Sequence, residues 1–376
     1  MESYAKALAE EGHEVTIFTA NALAFRKAHL PAFEMRDGIR IRRFTFISFP
    51  TRYAFISPHL LLALLKSDVD VFQVFSLLPS FFILAAIMVA KVRGIRLVLY
   101  PQFHPSRFQF HPSRMMRTLG GIFDRTFAIS LLKMADYVIA LTYVEQHYYT
   151  ALGIKNVTTI YEWIPFRKFA TPEAVRAFRT RLDIDQRDRL ILFVGRVERR
   201  KGLDILVKAL PLIAEHIPDV KLIVVGKDWG TLGNCISIAT RLDCLDRLVL
   251  AGEVAEEELS AAYSITDVVV VPSLFEAYGR TVVEAWTFKK PVIVSSSVAL
   301  SELVTRDNGI VVSPGAVSEL ADATSELLLN PKKAREMGER GKLVLDSTML
   351  DLPVLTERLL GIYQPAGYTP TGHTGA

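Results

Sequence analysis

Residues 268–286 read VVVVPSLFEAYGRTVVEAW, a valine run followed by a turn-forming segment and a second apolar stretch. The run Val268–Val271 is typical of a parallel strand covered on both faces, because such strands need not alternate apolar and polar residues. Pro272 and Ser273 end the strand, and the following pattern predicts a helix that begins near Gly279. A strand that leads through a short turn into a helix is the repeating unit of an α/β fold.

Short apolar runs alternate with helical patterns along nearly the whole chain, so the expected fold class is α/β with parallel sheets covered on both faces. The helical patterns include Gly202–His216 and Glu256–Ser264. The predicted strands are Val15–Thr19, Val71–Phe75, Leu97–Tyr100, Tyr137–Leu141, Val157–Ile160, Leu190–Val194, Leu222–Val225, Leu248–Leu250, Val268–Val271, Val292–Val294 and Gly309–Val312.

The alternation breaks once, between Trp163 and Arg189, where a lone helix over Pro172–Leu182 separates two α/β blocks. We place a domain boundary near residue 168, since a chain of 376 residues suggests two domains of ordinary size. The predicted parts are a first domain over residues 1–167, a second over residues 168–349, a helix over 350–363 that packs back on the first, and a disordered tail over 365–376.

Composition excludes several classes of protein. Half of the residues are hydrophobic and 22% are charged, which supplies apolar side chains for two cores and argues against a disordered chain. Two cysteines, Cys235 and Cys244, cannot form a disulfide scaffold or a four-cysteine zinc site, so a reducing cytosol is the expected compartment. The amino terminus reads as a charged helix rather than a signal peptide.

Charge is spread unevenly along the chain. Residues 1–165 contain 18 Lys and Arg against 12 Asp and Glu, a balance of +6, whereas residues 166–376 carry −2. The basic first half predicts contact with an anionic surface or substrate. Nucleic acid is not the expected partner, because no dense Lys/Arg run with interleaved aromatic residues occurs.

The run Phe75–Ala90 contains no charged residue and resembles a membrane span in composition. It has 16 residues, includes Pro79 and is followed by Lys91 and Arg93, whereas a span needs about 20 apolar residues. We interpret it as a buried or membrane-touching helix.

The segment around Gly279 has the features of an anion site. A helix that begins there directs the N–H groups of Gly279, Arg280 and Thr281 toward the carboxyl edge of the sheet, which suits a diphosphate. Glu276 and Glu284 flank this turn, and a carboxylate can accept hydrogen bonds from two adjacent sugar hydroxyls. The spacing fits a nucleotide-sugar site, and a helix with two solvated glutamates is the alternative.

A second segment, Phe193–Gly202, reads FVGRVERRKG and leaves a predicted strand through Gly195. Arg196 and Lys201 therefore follow the carboxyl end of a parallel strand, where two cations can neutralise a diphosphate leaving group. A solvated basic loop is the alternative.

The combination of GR…KG with a later EAYG…E resembles the retaining GT-B glycosyltransferases of family four. The resemblance extends from ALAEEGHEVTIFT through VVGKDWG and AGEVAEEEL to PVIVS. It implies two Rossmann-like domains whose parallel sheets face each other across a cleft that holds the active site. It also implies that the second domain binds a nucleoside-diphosphate sugar and the first binds the acceptor.

The resemblance also implies residue roles. Arg196 and Lys201 would hold the diphosphate, Glu284 the ribose and Glu276 the transferred sugar. The remaining donor-binding positions that it implies are Gly195, Gly226, Val254, Tyr278, Gly279, Arg280 and Thr281.

The acceptor side is expected in Tyr100–Arg114, which reads YPQFHPSRFQFHPSR and leaves a predicted strand. Open α/β sheets bind ligands at the carboxyl ends of strands, where His104 lies. The resemblance makes His104 the catalytic histidine near the anomeric centre, and His111 is an alternative. Arg107 and Arg114 place part of the positive charge on the acceptor side.

Two Asp-x-Asp motifs, Asp68–Asp70 and Asp183–Asp185, are candidates for a divalent metal site. Each precedes a predicted strand and should lie at the amino edge of its sheet, away from the ligand edge. We interpret both as solvated loops. Arg196, Lys201 and the helix terminus are expected to meet the diphosphate charge, so neither a metal nor another cofactor is expected.

The amino terminus departs from the family pattern. Residues 2–11 read as the first helix and Val15–Thr19 as the second strand, so the first strand and the Gly-rich turn of a Rossmann-like half are missing from the sequence. We hypothesise that the chain is incomplete at this end. A chain that starts at Met1 with a rearranged sheet is the alternative.

The sequence thus predicts a metal-independent, retaining glycosyltransferase that moves a sugar from a nucleoside-diphosphate sugar to a lipid-linked or polysaccharide acceptor. We expect it in the cytoplasm, peripherally on the inner face of the membrane, with its first domain docked on anionic lipid through basic residues and the Phe75–Ala90 helix. Another GT-B enzyme, such as a phosphorylase or an epimerase, and a non-catalytic nucleotide-sugar-binding or scaffold protein remain alternatives.

Overall fold

The structure is a computed structural model of the chain. It describes residues 2–23, 26–27, 30–48, 55–76, 81–101, 113–162, 164, 169–297, 299–349 and 352–364. The chain forms two compact units, one of Met1–Trp163 with Asp351–Ala376 and one of Ile164–Leu350. The predicted disordered tail lies outside the described residues.

The first unit begins with a helix and a succession of short strands, and from residue 58 on its helices and strands alternate. Its strands are β1 (Thr16–Ala20), β2 (Ala22–Leu23), β3 (Arg26–Lys27), β4 (Phe33–Arg36), β5 (Ile39–Phe44), β6 (Ile47–Ser48), β7 (Phe55–Ile56), β8 (Val71–Phe75), β9 (Arg96–Tyr100), β10 (Tyr137–Ala140) and β11 (Val157–Thr159). Its helices as far as β11 are α1 (Glu2–Glu10), α2 (Pro58–Leu65), α3 (Phe81–Arg93), α4 (Arg114–Phe123), α5 (Ile129–Met134) and α6 (Tyr143–Ala151). A π-helical turn, Asp124–Ala128, joins α4 to α5.

Two main sheets organise the first unit. A parallel sheet has the strand order β11-β10-β9-β8, and a second sheet has the order β1-β5-β4, in which β1 is parallel and β4 antiparallel to β5. Two short antiparallel pairs, β2 with β3 and β6 with β7, complete the described strands. The core lies between the parallel sheet and its helices and includes Leu97, Leu99, Val138 and Tyr149.

Helix α3 carries most of the predicted apolar run. Phe75 ends β8, and the helix buries Ile83, Ile87 and Val89 in the core. The prediction of a buried or membrane-touching helix is therefore confirmed as to the helix and its buried side, for the part of the run within α3. None of the helices described in the chain is both long and apolar enough to cross a membrane.

The second unit is a single parallel sheet with flanking helices. Its strands are β12 (Arg189–Val194), β13 (Val220–Val225), β14 (Leu248–Gly252), β15 (Val268–Val271), β16 (Val292–Ser295) and β17 (Gly309–Val312). Its helices are α7 (Pro172–Arg181), α8 (Leu203–His216), α9 (Leu232–Arg241), α10 (Glu256–Ile265), α11 (Arg280–Thr287), α12 (Leu300–Leu303), α13 (Val317–Leu329) and α14 (Pro331–Val344).

Burial on both faces explains the apolar strands of this sheet. Along β12, Ile191 packs in the cluster that includes α8 and α13, while its neighbours Leu190 and Leu192 point to the other face and are equally buried. Each fully buried aliphatic side chain stabilises the fold by about 1.5–3 kcal/mol relative to an exposed one. A strand with no polar face is stable only in such a sheet.

Helix α15 (Leu352–Tyr363) belongs to the first unit. It buries Leu355 and Leu359, and the carbonyl of Ile362 accepts a hydrogen bond from Arg96 Nε at 2.8 Å. The Tyr363 hydroxyl donates to the side chain of Gln73 on β8.

The expected α/β class with parallel sheets is confirmed. Every predicted strand is present, with ends that differ by at most two residues. Strands β2 to β7, of which β5 is the longest, were not predicted from the sequence. The sequence of β5, IRIRRF, contains three arginines, of which Arg40 and Arg42 are exposed. In composition it therefore resembles a polar loop.

Candidate functional site

The strand order of the second sheet fixes where a ligand can bind. The order is β14-β13-β12-β15-β16-β17, so successive strands proceed outward in one direction from β12 and in the other from β15. Open α/β sheets bind ligands outside the carboxyl ends of the strands at such a switch point. The loops that leave β12 and β15 are the two segments that the sequence analysis selected.

The loop after β12 crosses the loop after β13 at close range. The N–H of Gly195 donates to the Val225 carbonyl at 2.9 Å, and a Cβ at Gly226 would lie 1.9 Å from the Gly195 carbonyl oxygen. Gly226 also has a φ of +143°, a value that glycine adopts readily. Glycine at position 226 therefore lets the two loops lie against each other.

Arg196 is oriented by this crossing. Its guanidinium carbon lies 4.8 Å from the centre of the Trp229 ring, and its Nη2 is 3.0 Å from a Glu198 oxygen. Trp229 begins the turn before α9, where Asp228 accepts hydrogen bonds from the N–H groups of Leu232 and Gly230. These bonds hold the pKa of Asp228 below its usual range. The Arg196 side chain is 43% exposed, so a ligand can reach it.

Lys201, in the loop after β12, and Glu276, in the loop after β15, form an ion pair at this edge of the sheet. Lys201 Nζ donates to Glu276 Oε2 at 2.6 Å, and the Ser273 hydroxyl donates to the same oxygen at 3.3 Å. Both charged side chains are only 16% exposed. Partial burial strengthens such a pair relative to one in water.

Backbone contacts hold these two loops together. A Cβ at Gly202 would lie 2.2 Å from the Pro272 carbonyl oxygen, and the N–H of Leu274 donates to the Arg200 carbonyl at 2.9 Å. Gly202, with a φ of +71°, also precedes the first residue of α8. The loops after β12 and β15 are therefore one connected structure, which places Lys201 beside Glu276.

Helix α11 begins at the expected turn. Gly279 is its N-cap with a φ of +99°, and the N–H groups of Val282 and Val283 are directed at the Gly279 carbonyl. The N–H groups of Arg280 and Thr281 lie in the first turn, where the helix supplies no carbonyl partner. The Thr281 hydroxyl donates to the carbonyl of Val194 at the end of β12.

Glu284 is buried beneath this helix start. Its side chain is 5% exposed, its Oε2 accepts from the Tyr263 hydroxyl at 2.8 Å, and its Oε1 lies 3.2 Å from Arg280 Nε. Tyr263 is fully buried on α10 and stacks on Phe288 with ring centres 5.3 Å apart. The alternative interpretation of the sequence, a helix with two solvated glutamates, is therefore wrong for Glu284, because its carboxylate lies in the protein interior.

The structure brings the predicted donor residues to one edge of the sheet. Gly195 and Gly226 directly follow β12 and β13, and Val254 follows β14 by two residues. Tyr278 is buried in the turn before α11. Sequence reasoning missed the contacts of Tyr263 with Glu284 and of Trp229 with Arg196, because each joins segments distant in the chain. It also missed the hydrogen bond that Ser273 donates to Glu276, three residues along the chain.

The predicted acceptor residues are described only in part. Arg114 is the first residue of α4 in the first unit and is exposed. His104, Arg107 and His111 lie outside the described residues. β9 ends at Tyr100, so the chain reaches this stretch from the carboxyl end of a strand.

The two Asp-x-Asp motifs lie where the sequence analysis placed them. Asp68–Asp70 directly precedes β8, and Asp183–Asp185 precedes β12, at the amino ends of those strands. All four carboxylates are exposed. The interpretation of both motifs as solvated loops is confirmed.

Two family models match the chain, one in each unit. Residues 175–344 match the family described as glycosyl transferases group 1, and residues 1–163 match the glycosyl transferase 4-like domain.

Two curated relatives match the chain over longer spans than either family model. Alpha-D-kanosaminyltransferase of Streptomyces kanamyceticus is 25% identical over 74% of this chain and 73% of its own length. D-inositol 3-phosphate glycosyltransferase of Segniliparus rotundus is 28% identical over 56% of this chain. The match spans 48% of that protein, so it covers about half of its length.

Solved structures share the fold across nearly the whole chain. Sucrose-phosphate synthase of Thermosynechococcus elongatus has a TM-score of 0.76 at 22% identity, with 96% of this chain and 90% of that chain covered. Anabaena HepE in complex with UDP and glucose has a TM-score of 0.73 at 18% identity, with 96% and 93% covered. The expected GT-B fold is confirmed.

Proposed function

The chain belongs to the group 1 glycosyltransferases, and we propose that it is a retaining enzyme that transfers a sugar from a nucleoside-diphosphate sugar without a metal ion. The acceptor that we propose is a lipid-linked saccharide or a polysaccharide. The observation that carries the proposal is the Lys201–Glu276 pair, joined at 2.6 Å across the switch point of the second sheet. The UDP in the HepE complex supports a nucleotide donor.

Lys201 and Arg196 are proposed to stabilise the departing diphosphate. A lysine ammonium has three N–H donors, of which Glu276 takes one, so phosphate oxygens can take the others. Arg196 and the first-turn N–H groups of α11 add positive potential at the same edge. Fixed charges aimed at a developing negative charge are an effective means of lowering a reaction barrier, and they meet the diphosphate charge without a metal.

The two glutamates are proposed to hold the sugar and the ribose. Glu276 accepts from Lys201 and Ser273 through one oxygen, so its other oxygen is suited to hydroxyls of the transferred sugar. Glu284 is proposed to receive the ribose hydroxyls. For retention, we propose same-face attack, in which the bond from the sugar to the leaving phosphate breaks as the acceptor oxygen bonds to the anomeric carbon and the leaving phosphate takes the acceptor proton.

The acceptor side is proposed in the first unit. His104 would lie near the anomeric carbon, and Arg107 and Arg114 would contact the acceptor. The +6 balance of residues 1–165 supports an anionic acceptor or membrane surface. We accordingly propose a cytoplasmic enzyme that works peripherally at the inner face of a membrane.

A donor screen tests the proposal. The full chain is incubated with UDP-, GDP- and ADP-sugars, and the unfolding temperature and the release of nucleotide are both measured. We expect one donor class to raise the unfolding temperature by mass action and to be consumed. Lys201→Met should abolish most of the consumption.

Lys208→Met is the matched control. Lys208 lies on α8 and forms an exposed i,i+4 pair with Asp204 at 3.2 Å, so its loss should leave donor consumption unchanged. Donor binding with no release of nucleotide under any acceptor condition would contradict the enzyme and favour the non-catalytic alternative.

A further inference from the structure

The helical segment from Arg114 to Met134 exposes apolar side chains on one face. Met115, Leu119, Ile122 and Phe127 are 63%, 54%, 53% and 66% exposed, respectively. Four large apolar side chains of one helical segment, each more than half exposed, exceed the single scattered apolar residues that are normal on the surface of a soluble protein. We call these four residues the apolar face.

The π-helical turn explains why Phe127 belongs to this face. Met115, Leu119 and Ile122 follow the spacing of an α-helical stripe, which would continue at Thr126. The turn Asp124–Ala128 inserts one extra residue, so the next position on the stripe becomes Phe127. The Phe127 ring also stacks on Phe123, with ring centres 6.3 Å apart, and Phe123 packs against the core of the unit.

The same helical segment is rich in positive charge. Residues 113–134 are all described and contain Arg114, Arg117, Arg125 and Lys133, each of them exposed. Their single acidic residue, Asp124, is 2% exposed. This surface therefore carries four cationic side chains and presents no carboxylate of its own to solvent.

We propose that the apolar face and these four basic residues form a docking surface for an anionic lipid bilayer. A helix that lies in the membrane interface needs an apolar face for the acyl boundary and cations for the lipid headgroups, and this segment has both. The proposal rests on the part of the proposed function that places the acceptor side at a membrane, and it identifies the residues that make the contact.

Helix α3, which the sequence analysis selected for this role, is less suited to it. It also exposes Leu84, Met88 and Val92, but most of its other apolar residues face the core. Its Lys91 pairs with Asp136 at 2.9 Å, and its Arg93 donates to the carbonyls of Leu64 and Ser67. The cations of α3 are therefore engaged within the unit.

Vesicle flotation tests the docking surface with the full chain. The vesicles contain phosphatidylcholine alone or phosphatidylcholine mixed with phosphatidylglycerol, each at low and high salt. We expect the wild type to bind only the phosphatidylglycerol vesicles and to dissociate as salt rises. The variant Leu119→Ser with Phe127→Ser should lose at least tenfold in vesicle affinity, and Arg117→Gln with Arg125→Gln about 25-fold at low salt, at about fivefold for each charge.

A matched variant on α3, Leu84→Ser with Met88→Ser, removes two exposed apolar side chains from the neighbouring helix and should bind as the wild type does. Circular dichroism of each variant establishes that it is folded. Equal affinity for neutral and anionic vesicles, or an equal loss in the α3 variant, would overturn the proposal. So would a wild-type dimer that Leu119→Ser with Phe127→Ser dissociates while vesicle binding is unchanged, because the face would then join two copies.

Nucleotide release from the soluble donor separates this inference from the proposed function. The apolar-face variants should consume donor at the wild-type rate in the absence of vesicles. Loss of vesicle binding with normal donor consumption supports the docking surface alone. An inactive wild type that still binds anionic vesicles through the apolar face would contradict the proposed function and leave the docking surface intact.

Discussion

Glu276 and Glu284 belong to one short segment but lie in different environments. Glu276, in the loop after β15, is 16% exposed and pairs with a lysine from another loop. Glu284, in the second turn of α11, is 5% exposed and accepts a hydrogen bond from a fully buried tyrosine. The loop carboxylate bonds Lys201 and Ser273 through one oxygen, so its other oxygen can accept from a ligand. The helix carboxylate is part of the packing that fixes where α11 begins.

This difference separates two kinds of contribution to a site. A group that pairs with an ammonium at the ligand edge of a sheet contributes mainly to chemistry, and its removal should leave stability nearly intact. A group that satisfies a buried hydroxyl contributes to stability as well, because its removal leaves a polar atom without a partner. Measurements of rate and stability on the same variants therefore test the comparison directly.

Removal of the Lys201–Glu276 pair should have the largest effect. Glu276→Gln and Lys201→Met should each reduce the transfer rate about 10²–10³-fold, or about 2.7–4 kcal/mol, because each removes a charge that acts in the transition state. The free energy of unfolding should stay within about 1 kcal/mol of the wild type, because the pair is only partly buried and water at the ligand edge of the sheet can solvate the group that remains. Single-turnover kinetics and urea denaturation measure the two quantities.

The double variant sharpens this prediction. If the two residues act as a unit, Glu276→Gln with Lys201→Met should be about as slow as the slower single variant. If the rate loss of the double variant equals the product of the two single losses, the two groups act independently, which would contradict the paired geometry.

Gly279 links the two environments, and its substitution should have the next largest effect. Gly279→Ala places a side chain at a φ of +99° and puts a Cβ 2.7 Å from Leu300 Cδ2. We expect the free energy of unfolding to fall by about 2–4 kcal/mol from backbone strain and crowding together. Thermal or urea unfolding provides the measurement.

Gly233→Ala is the matched control for that substitution. Gly233 lies in α9 with ordinary helical backbone, and a Cβ there would meet no atom within 4 Å. The alanine should stabilise the protein by about 0.5–1 kcal/mol. A similar loss in both variants would show that the αL turn is not the cause.

Most of the fold could be predicted because its signals are local. Strands β15 and β16 are buried throughout and β12 is buried from Leu190 to Phe193, so these sequences are apolar runs that can be recognised without knowledge of their neighbours. β5 was missed because a strand with exposed arginines differs little from a loop in composition. The π-helical turn at Asp124–Ala128 was missed because one extra residue in a helix has no distinct sequence signal.

The residues of the candidate site could be predicted from the sequence, but the contacts between them could not. Glu276 and Lys201 were selected because each follows the end of a strand. Their contact depends on the approach of Gly202 to the Pro272 carbonyl, which no local pattern encodes. Tyr263 was not predicted at all, because its contact with Glu284 joins two helices and requires the three-dimensional packing of α10 on α11.

Glu284→Gln should lower stability where Glu276→Gln does not. The amide keeps the volume but weakens the bonds from Tyr263 and Arg280, so we expect a loss of about 1–3 kcal/mol in the free energy of unfolding. Donor KM should rise as well, since the proposed ribose contact is lost. Tyr263→Phe, which contacts no ligand in the proposal, should lower stability in the same direction with a smaller change in KM. An unfolding curve for Glu284→Gln that matches the wild type would break the comparison.

Arg196→Ala should have the smallest effect of the set. The side chain is 43% exposed and its contact with the Trp229 ring is worth about 0.5–1 kcal/mol at such a site, so stability should hardly change. The diphosphate gains charge only as the glycosidic bond breaks, so the loss should fall on kcat, by about tenfold, with little change in donor KM. Trp229→Leu should produce part of the same loss, because the ring only orients the guanidinium. Arg199→Ala, in the exposed turn that follows, is the control and should transfer at the wild-type rate. A rise in KM with unchanged kcat would contradict this prediction, because it would show that Arg196 binds the diphosphate equally in the ground state and in the transition state.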